Sequence, residues 1–334
     1  MRRGVYASFP PKSLLIHENA VEVTRKAKHG SVSTETGFMY RRSTGRKRFS
    51  ALIRCDVCPR ACILEEGKTG FCGVRQNMDG RNVDGLQNLV CTTVANGSLG
   101  REFDVFLPGC NLKCGFCMFP MFSRQLDASL LRRTSAVDLF REVEEQESTV
   151  VVVSGGEPTL HHEFLRDFLV LQESELRLVM IMSNGYVGTA LAEQYADILS
   201  RSVYATICVG VKDFAHPRTY RKMGADPHLV LSFMETLVKH NAAFSIMNLV
   251  DPSFGPIDEE AEKFAKWAAG LRNRLTGRQI KVSHDPLTVP YLPFSDVWKM
   301  PLVSPKAEVK DYLQAAQELF RSAGCWNLRP IPNL

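Results

Sequence analysis

Residues 108–120 read PGCNLKCGFCMFP and place three cysteines on one short stretch. Cys110 and Cys114 are separated by three residues, and Cys114 and Cys117 by two. Three thiolates can each bind one iron of a cubane [4Fe–4S] cluster, because cysteine is the usual ligand of iron–sulfur clusters. The fourth iron would then have no protein ligand. Such an open position can bind the amine and carboxylate groups of a small molecule, as the open position of a catalytic zinc binds water or substrate.

A zinc site is the alternative interpretation of these three thiols. A structural zinc ion takes four protein ligands. Cys91 is a candidate for the fourth, but no further Cys or His lies within the forty residues after Cys117. The missing fourth ligand therefore favours the iron–sulfur cluster.

A regular alternation of predicted strands and helices begins at this stretch. Strands are predicted at 104–109, 149–156, 176–185, 204–213, 243–252 and 279–286, and helices at 135–146, 161–172, 188–200, 226–241, 258–273 and 307–324. Strands that are apolar on both faces and alternate with helices indicate a parallel sheet covered by helices. Six units are too few for a closed eight-stranded barrel, and no dinucleotide-binding GxGxxG motif follows the first strand. The sequence therefore predicts an α/β fold, a partial and open (β/α)6 barrel.

The residues that follow the predicted strands are the candidates for chemistry, because barrels of this kind act at the carboxyl ends of their strands. In chain order they are Cys110–Cys117, Gly155–Pro158, Ser183–Gly185, Lys212, Asn248 with Asp251, and His284. The agreement between motif position and strand end supports both predictions.

The CxxxCxxC motif resembles that of the radical S-adenosylmethionine (radical SAM) superfamily, since Phe116 precedes its last cysteine and SGGEP follows the next strand at 154–158. The resemblance implies that Cys110, Cys114 and Cys117 hold a [4Fe–4S] cluster whose fourth iron binds S-adenosylmethionine (SAM). It implies reductive cleavage of SAM to a 5′-deoxyadenosyl radical that abstracts hydrogen. It also implies an electron donor such as flavodoxin or ferredoxin.

The resemblance gives roles to the residues after the first two strands. Gly155, Gly156 and Glu157 would meet the methionine amino group, and the glycines would let the backbone approach a ligand because they lack a Cβ. Glu157 has the alternative of bracing the turn, which the residues favour. Phe116 would stack near adenine, with a loop hydrophobe as the alternative.

The resemblance also covers the next two strand ends. Ser183 and Asn184 would contact the ligand's carboxylate or ribose, and a simple strand-to-helix turn is the alternative. Lys212 would meet a carboxylate of SAM or substrate, and a solvated lysine is the alternative.

A second cysteine group lies upstream, where Cys55, Cys58, Cys62 and Cys72 fall within eighteen residues. Four thiols are a complete ligand set for zinc or for a second iron–sulfur cluster. This stretch resembles the N-terminal segment of the pyruvate formate-lyase activating enzyme-like and AmmeMemoRadiSam-type proteins. That resemblance extends over about residues 51–334.

The chain departs from that subgroup at two places. Met118-Phe119 stands where the subgroup often has Gln-Asn, and Gly210-Val211-Lys212 stands where it has Asp-Leu-Lys. The departures leave the cluster and SAM assignments intact but weaken any substrate assignment by analogy. Among other residues, we expect His161, His162 and His240 on helix surfaces and Cys208 in the core.

Composition and charge bound the class of protein. Hydrophobic residues make up 45% and charged residues 23%, which is typical of a soluble globular protein. Residues 1–50 hold eleven Lys and Arg against three Glu, a net charge of +8. Since the whole chain carries +5, the remaining residues carry −3. We expect a basic, disordered leader at 1–50, a Cys-rich segment at 51–100, a radical SAM core at 101–300, and a helix and tail at 301–334. The prediction is a cytoplasmic protein, with organellar targeting by the leader as the alternative.

The predicted function is hydrogen abstraction by a radical SAM enzyme, with activation of a glycyl-radical enzyme as the example that the resemblance suggests. Modification of a peptide, an RNA or a small molecule is the alternative within the superfamily. A metal-stabilised nucleic-acid-binding module is the alternative of a different class, but the chain lacks the interleaved aromatic and basic residues of an RNA-binding sheet. The sequence does not name the substrate, for which a protein is one candidate. Neither a membrane nor a nucleic acid is expected as a partner.

Overall fold

The protein is described by a computed structural model. It describes residues 52–95, 102–117, 119–124, 129, 131–175, 177–212, 214, 218–242, 244–250, 259, 263–264, 266–267 and 281–286. All of them belong to one compact unit of the chain. The predicted leader, the helix at 307–324 and most of the helix at 258–273 lie outside the described residues.

Two short antiparallel hairpins shape the Cys-rich segment. In the first, β1 (Ile53–Arg54) pairs with β2 (Ile63–Leu64). In the second, β3 (Arg75–Met78) pairs with β4 (Arg81–Asp84) around Asp79 and Gly80, both at positive φ. With strands of only two and four residues, the segment has little regular secondary structure.

A seven-stranded sheet forms the centre of the fold. The elements that follow β4 are β5 (Leu89–Val90), β6 (Thr92–Ala95), β7 (Glu102–Leu107), α1 (Pro120–Ser123), β8 (Arg132–Arg133), α2 (Ala136–Glu145), β9 (Val150–Gly155), a 3-10 turn (Pro158–His161), α3 (His162–Ser174), β10 (Leu178–Ser183), α4 (Thr189–Arg201), β11 (Ala205–Lys212), α5 (Arg218–Lys222), α6 (Pro227–Lys239), β12 (Phe244–Val250) and β13 (Lys281–Pro286). The strand order is β13-β12-β11-β10-β9-β7-β6.

Six of these strands, from β7 to β13 in the sheet, are parallel to their neighbours, and β6 is antiparallel to β7. The parallel strands follow chain order across the sheet. Among the described residues, β13 pairs only with β12 and not with β6 or β7, so the sheet is not closed. The predicted open (β/α)6 architecture is confirmed. The short antiparallel pair of β5 with β8 lies outside this sheet.

Burial explains why these strands are parallel and central. Val151, Val152 and Val153 of β9 are all buried, although successive side chains of a strand point to opposite faces. Both faces of β9 are therefore covered, as expected for a parallel sheet between helices. The helices begin where the sequence indicates: Ser135 caps α2 by accepting a hydrogen bond from Asp138 N, and Asp226 caps α6 through His228 N. Among the described helices, none has the length and apolar character needed to cross a membrane.

Candidate active site

The carboxyl ends of four neighbouring strands gather the predicted site residues. The cysteine loop follows β7, Gly156 and Glu157 follow β9, Asn184 follows β10, and Lys212 ends β11. Because β7, β9, β10 and β11 are parallel neighbours, these ends lie along one edge of the sheet. At the sixth strand end, backbone pairing sets Asn248 beside His284, whereas Asp251 lies outside the described residues.

Gly155 and Gly156 hold the start of the cysteine loop through backbone contacts. Gly156 N donates to Leu107 O at 2.8 Å, and Glu157 N donates to Gly109 O at 2.7 Å. A Cβ on Gly156 would overlap the carbonyl oxygen of Gly109. Gly155 has a φ of +102° and leaves no room for a Cβ beside Leu107. Both glycines are therefore required for the close approach of the chain to itself, and their contact with a ligand stays a prediction.

Glu157 ties two strand ends together. Its side chain is fully buried. Its Oε1 accepts hydrogen bonds from Thr159 N at 3.1 Å, Thr159 Oγ1 at 2.7 Å and Ser183 Oγ at 2.8 Å, and its Oε2 accepts one from Asn184 N at 2.7 Å. These are the contacts of a brace between the ends of β9 and β10, the alternative that the sequence favoured.

Asn184 extends this network to the cysteine loop. Its Nδ2 donates to Asn111 Oδ1 at 2.8 Å and lies 3.7 Å from Cys110 Sγ. The buried Asn111 in turn donates through Nδ2 to Tyr186 O at 2.7 Å. The sequence did not single out Asn111, although a polar residue directly after the first motif cysteine was a visible signal.

The three motif thiols share one electrostatic environment. Burial raises the pKa of Cys110 well above its usual value, and the nearby Glu157 and Cys114 raise it further. Burial raises the pKa of Cys114 to about 11, against which the positive charge of Lys212 acts. Cys117 Sγ lies 3.4 Å from Ser123 Oγ. Only part of each of these three cysteines is exposed.

The donor set fits a cluster better than one ion. Among the described residues, no three Cys, His, Asp or Glu side chains converge closely enough to hold a single metal ion. A cubane cluster is wider than one ion and takes a thiolate on each bound iron. Three neighbouring thiols on one loop, without a fourth ligand, match that group in donor type and number.

Lys212 is half-buried, and its ammonium lies within the site. Nζ donates to Gly210 O at 2.8 Å, and the backbone N–H of Lys212 donates to Tyr220 Oη at 3.0 Å. A Cβ at Gly210 would stand 3.2 Å from Nζ. The glycine that replaces the subgroup's acid therefore leaves room for the lysine to fold back.

Two aromatic residues of the loop pack into hydrophobic clusters. Phe116 is buried in the main core, so its contact with adenine stays a prediction. Phe119 packs on Phe106 and Phe122, with ring centroids 5.4 and 5.8 Å apart. Phe119, which stands where the subgroup often has Asn, therefore contributes to hydrophobic packing beside the cysteine loop. Its neighbour Met118 lies outside the described residues.

His161 corrects the expectation that the three helix histidines lie on the surface. It is 2% exposed and ends the 3-10 turn before α3. Nδ1 lies 2.7 Å from Asp84 Oδ2, and Nε2 lies 2.7 Å from Pro108 O. The ring therefore connects the Cys-rich segment to the residue before Gly109. Its partners are 77 and 53 positions away, so no local pattern could identify them.

Replacing His161 with alanine should lower the free energy of unfolding by about 2–3 kcal/mol, because it leaves a buried carboxylate and a buried carbonyl without this partner. Chemical denaturation measures the change. His162→Ala is the matched control, since the side chain of His162 is next in the sequence and is partly exposed. An equal effect of the two substitutions would show that the buried bridge adds no stability.

Comparison with known proteins agrees with this arrangement. Residues 105–268 match the model of the radical SAM superfamily. The chain is 25% identical over 146 residues to the "Uncharacterized protein MJ0808" of Methanocaldococcus jannaschii, a match that spans 40% of this chain and 44% of that relative. It is 23% identical over 193 residues to the "Putative glycyl-radical enzyme activating enzyme MJ1632" of the same organism, over 55% of this chain and 70% of that relative.

A solved structure shares the fold. Streptococcus suis SuiB bound to S-adenosylmethionine superposes with a TM-score of 0.50 at 16% identity, over 67% of this chain and 51% of that chain. The open parallel sheet, the cysteine loop after its first parallel strand and the family match define one class of protein. Residues 105–268 of the chain form a radical SAM domain.

Proposed function

We propose that the protein is an enzyme that holds a [4Fe–4S] cluster through Cys110, Cys114 and Cys117 and binds SAM at the iron left open. The observation that carries the proposal is the gathering of these thiols with Asn184 and Lys212 at neighbouring strand ends. When bound, the cluster and SAM supply reductive cleavage and a 5′-deoxyadenosyl radical that abstracts hydrogen.

The protein's own residues would bind and orient the cofactor. Glu157 fixes the backbone N–H of Asn184, and the Asn184 amide reaches Cys110. Lys212 places a positive charge near Cys114, where it can meet a carboxylate of SAM or substrate. Gly155, Gly156 and Ser183 complete the SAM-binding edge in this proposal, and Phe116 lines it.

The substrate that we propose is a glycine residue of a partner protein, and the reaction activates a glycyl-radical enzyme. The similarity to MJ1632 over 70% of that relative's length supports this choice. The chain spans 44% of the length of MJ0808 and has Gly210 where the subgroup has Asp. The analogy is therefore drawn to the class of reaction and not to a particular partner protein. An electron donor of the flavodoxin or ferredoxin type would reduce the cluster.

Anaerobic reconstitution of the full chain with iron and sulfide tests the cluster. We expect about four irons per chain, a cubane spectrum that changes when SAM is added, and 5′-deoxyadenosine after reduction with dithionite. The Cys110→Ala, Cys114→Ala, Cys117→Ala triple variant should lose the spectrum and the product. Cys91→Ala is the control, because Cys91 is buried beside Met121 and Phe122, outside the motif. Product formation by the triple variant would overturn the proposal.

Product analysis with candidate substrates tests the choice of substrate. A glycyl radical detected by electron paramagnetic resonance on a partner protein supports activation. Deuterium transfer into 5′-deoxyadenosine from a labelled peptide, RNA or small molecule, without such a radical, would contradict it. The four-segment domain organisation and the cytoplasmic location stay predictions.

A further inference from the structure

The four cysteines of the N-terminal segment come together in space. Cys55 N donates to Cys62 O at 2.8 Å across the first hairpin. Cys72 interacts electrostatically with both Cys55 and Cys62, and Cys58 with Cys55 and Cys72. Three of the four are buried and Cys62 is half-buried; all four are free thiols.

Hydrogen-bond donors surround their sulfur atoms. Val74 N and Arg75 N both donate to Cys72 Sγ at 3.4 Å. Burial raises the pKa of Cys58 to about 11, and the nearby backbone N–H of Arg60 and side chain of Asn111 act against that rise. Donors of this kind stabilise a thiolate more than a neutral thiol, because a hydrogen bond to an ionised acceptor is stronger. The cluster loop shows the same arrangement, since Leu112 N donates to Cys110 Sγ at 3.4 Å.

A side-chain amide is held in place for a further contact of this kind, to Cys55. Asn82 Nδ2 lies 3.4 Å from Cys55 Sγ. The other end of the amide, Oδ1, accepts from Arg75 Nε at 3.2 Å. Arg75 is itself fixed by two hydrogen bonds to Glu163, at 2.9 and 3.1 Å. This chain of contacts turns the donor end of Asn82 toward the sulfur.

We propose that Cys55, Cys58, Cys62 and Cys72 bind a second metal centre through four thiolates. Thiolate ligation suits both a zinc ion and an iron–sulfur cluster. Each thiol releases its proton on binding. Since no three of the described side chains already converge on one ion, loading must turn the sulfurs toward the metal or use a wider cluster.

The centre would also stabilise the neighbouring cluster loop. Cys110 N donates to Cys72 O at 3.2 Å. Arg60, two residues after Cys58, donates to the backbone oxygen of Asn111 and to Met223 O, the latter at 2.9 Å. The proposed metal therefore fixes a segment that holds both Cys110 and the residue after it.

Metal analysis of the full chain tests the second centre separately from the proposed activity. The Cys110→Ala, Cys114→Ala, Cys117→Ala triple variant removes the motif ligands. Purified anaerobically, it should retain about one zinc per chain or, with acid-labile sulfide and visible absorption, two to about four irons. Zinc identifies the ion and iron with sulfide identifies a cluster, and either result supports the site. Adding Cys72→Ala should lower the retained metal at least tenfold, whereas adding Cys91→Ala should leave it unchanged.

A second measurement covers the case in which the Cys72 variant fails to fold. The triple variant is stripped with a chelator, and its thiols are alkylated with and without added Zn²⁺ or with iron and sulfide. Metal should protect Cys55, Cys58, Cys62 and Cys72 from alkylation. A triple variant that is folded by circular dichroism, retains no metal and shows no protection would overturn the second centre. It would leave the proposed activity untouched.

Discussion

Replacing Gly156 with alanine is expected to lower stability sharply and to disable the site. A Cβ there would overlap Gly109 O, and Gly109 has no room to shift, because even a Cβ on Gly109 would collide with Val74 and with Cys72 O. The atoms that a Cβ on residue 156 would meet belong to the backbone of Gly109, so they cannot rotate away as a side chain could. We expect a loss of about 3 kcal/mol, at the upper end of the usual cost of overpacking.

Gly156→Ala should lower the activity of the folded protein as well as its stability. Gly109 directly precedes Cys110, so displacing its carbonyl moves the first motif ligand. A displacement of about 1 Å can cost a hundredfold in rate, and we expect a loss of that order in SAM cleavage by the reconstituted protein. The midpoint temperature of thermal unfolding should fall by roughly 5–10 °C. Stopped assays for 5′-deoxyadenosine and calorimetry measure the two effects.

Gly70→Ala is the matched control for this substitution. A Cβ at Gly70 would meet Cys62 Sγ and Leu64 at 3.5 Å, which is ordinary contact. Its stability should change by less than about 1 kcal/mol. If Gly156→Ala behaves like Gly70→Ala, the close backbone crossing at Gly109 does not hold the cysteine loop.

Replacing Glu157 with glutamine is expected to have the second-largest effect. The substitution keeps the shape of the side chain but turns one acceptor oxygen into a donor. All four contacts of Glu157 come from donors, namely two on Thr159 and one each on Ser183 and Asn184. A donor then faces a donor in a buried site, which costs about 2–3 kcal/mol.

This loss should extend to SAM binding, because Glu157 holds Asn184 N and the Asn184 side chain reaches Cys110. Equilibrium binding of SAM to the reconstituted variant is the readout that a merely stabilising role would not move. Glu145→Gln, the same change on an exposed position of α2, should alter stability by no more than about 0.5 kcal/mol. Unchanged SAM affinity in Glu157→Gln would show that the brace serves the fold alone.

Much of the fold could be predicted because its determinants are local. The run of valines in β9, the capping residues Ser135 and Asp226, and the spacing of the motif cysteines are each visible within a few positions. The six parallel strands follow from that pattern and from the chain order. The expected surface position of His161 was wrong, because His161 belongs to a 3-10 turn whose residues are buried, and helical spacing alone does not reveal such a turn.

By itself, the sequence determined the open α/β architecture and the thiols that carry the proposed chemistry, since hydrophobic period and ligand spacing are properties of short segments. Only the tertiary structure decided how those thiols are supported. It set Gly156 against Gly109, Glu157 between Thr159 and Asn184, and His161 between Asp84 and Pro108. These contacts join residues that are distant in the chain, and they form because parallel strand ends meet at one edge of the sheet and exclude water from the polar groups between them.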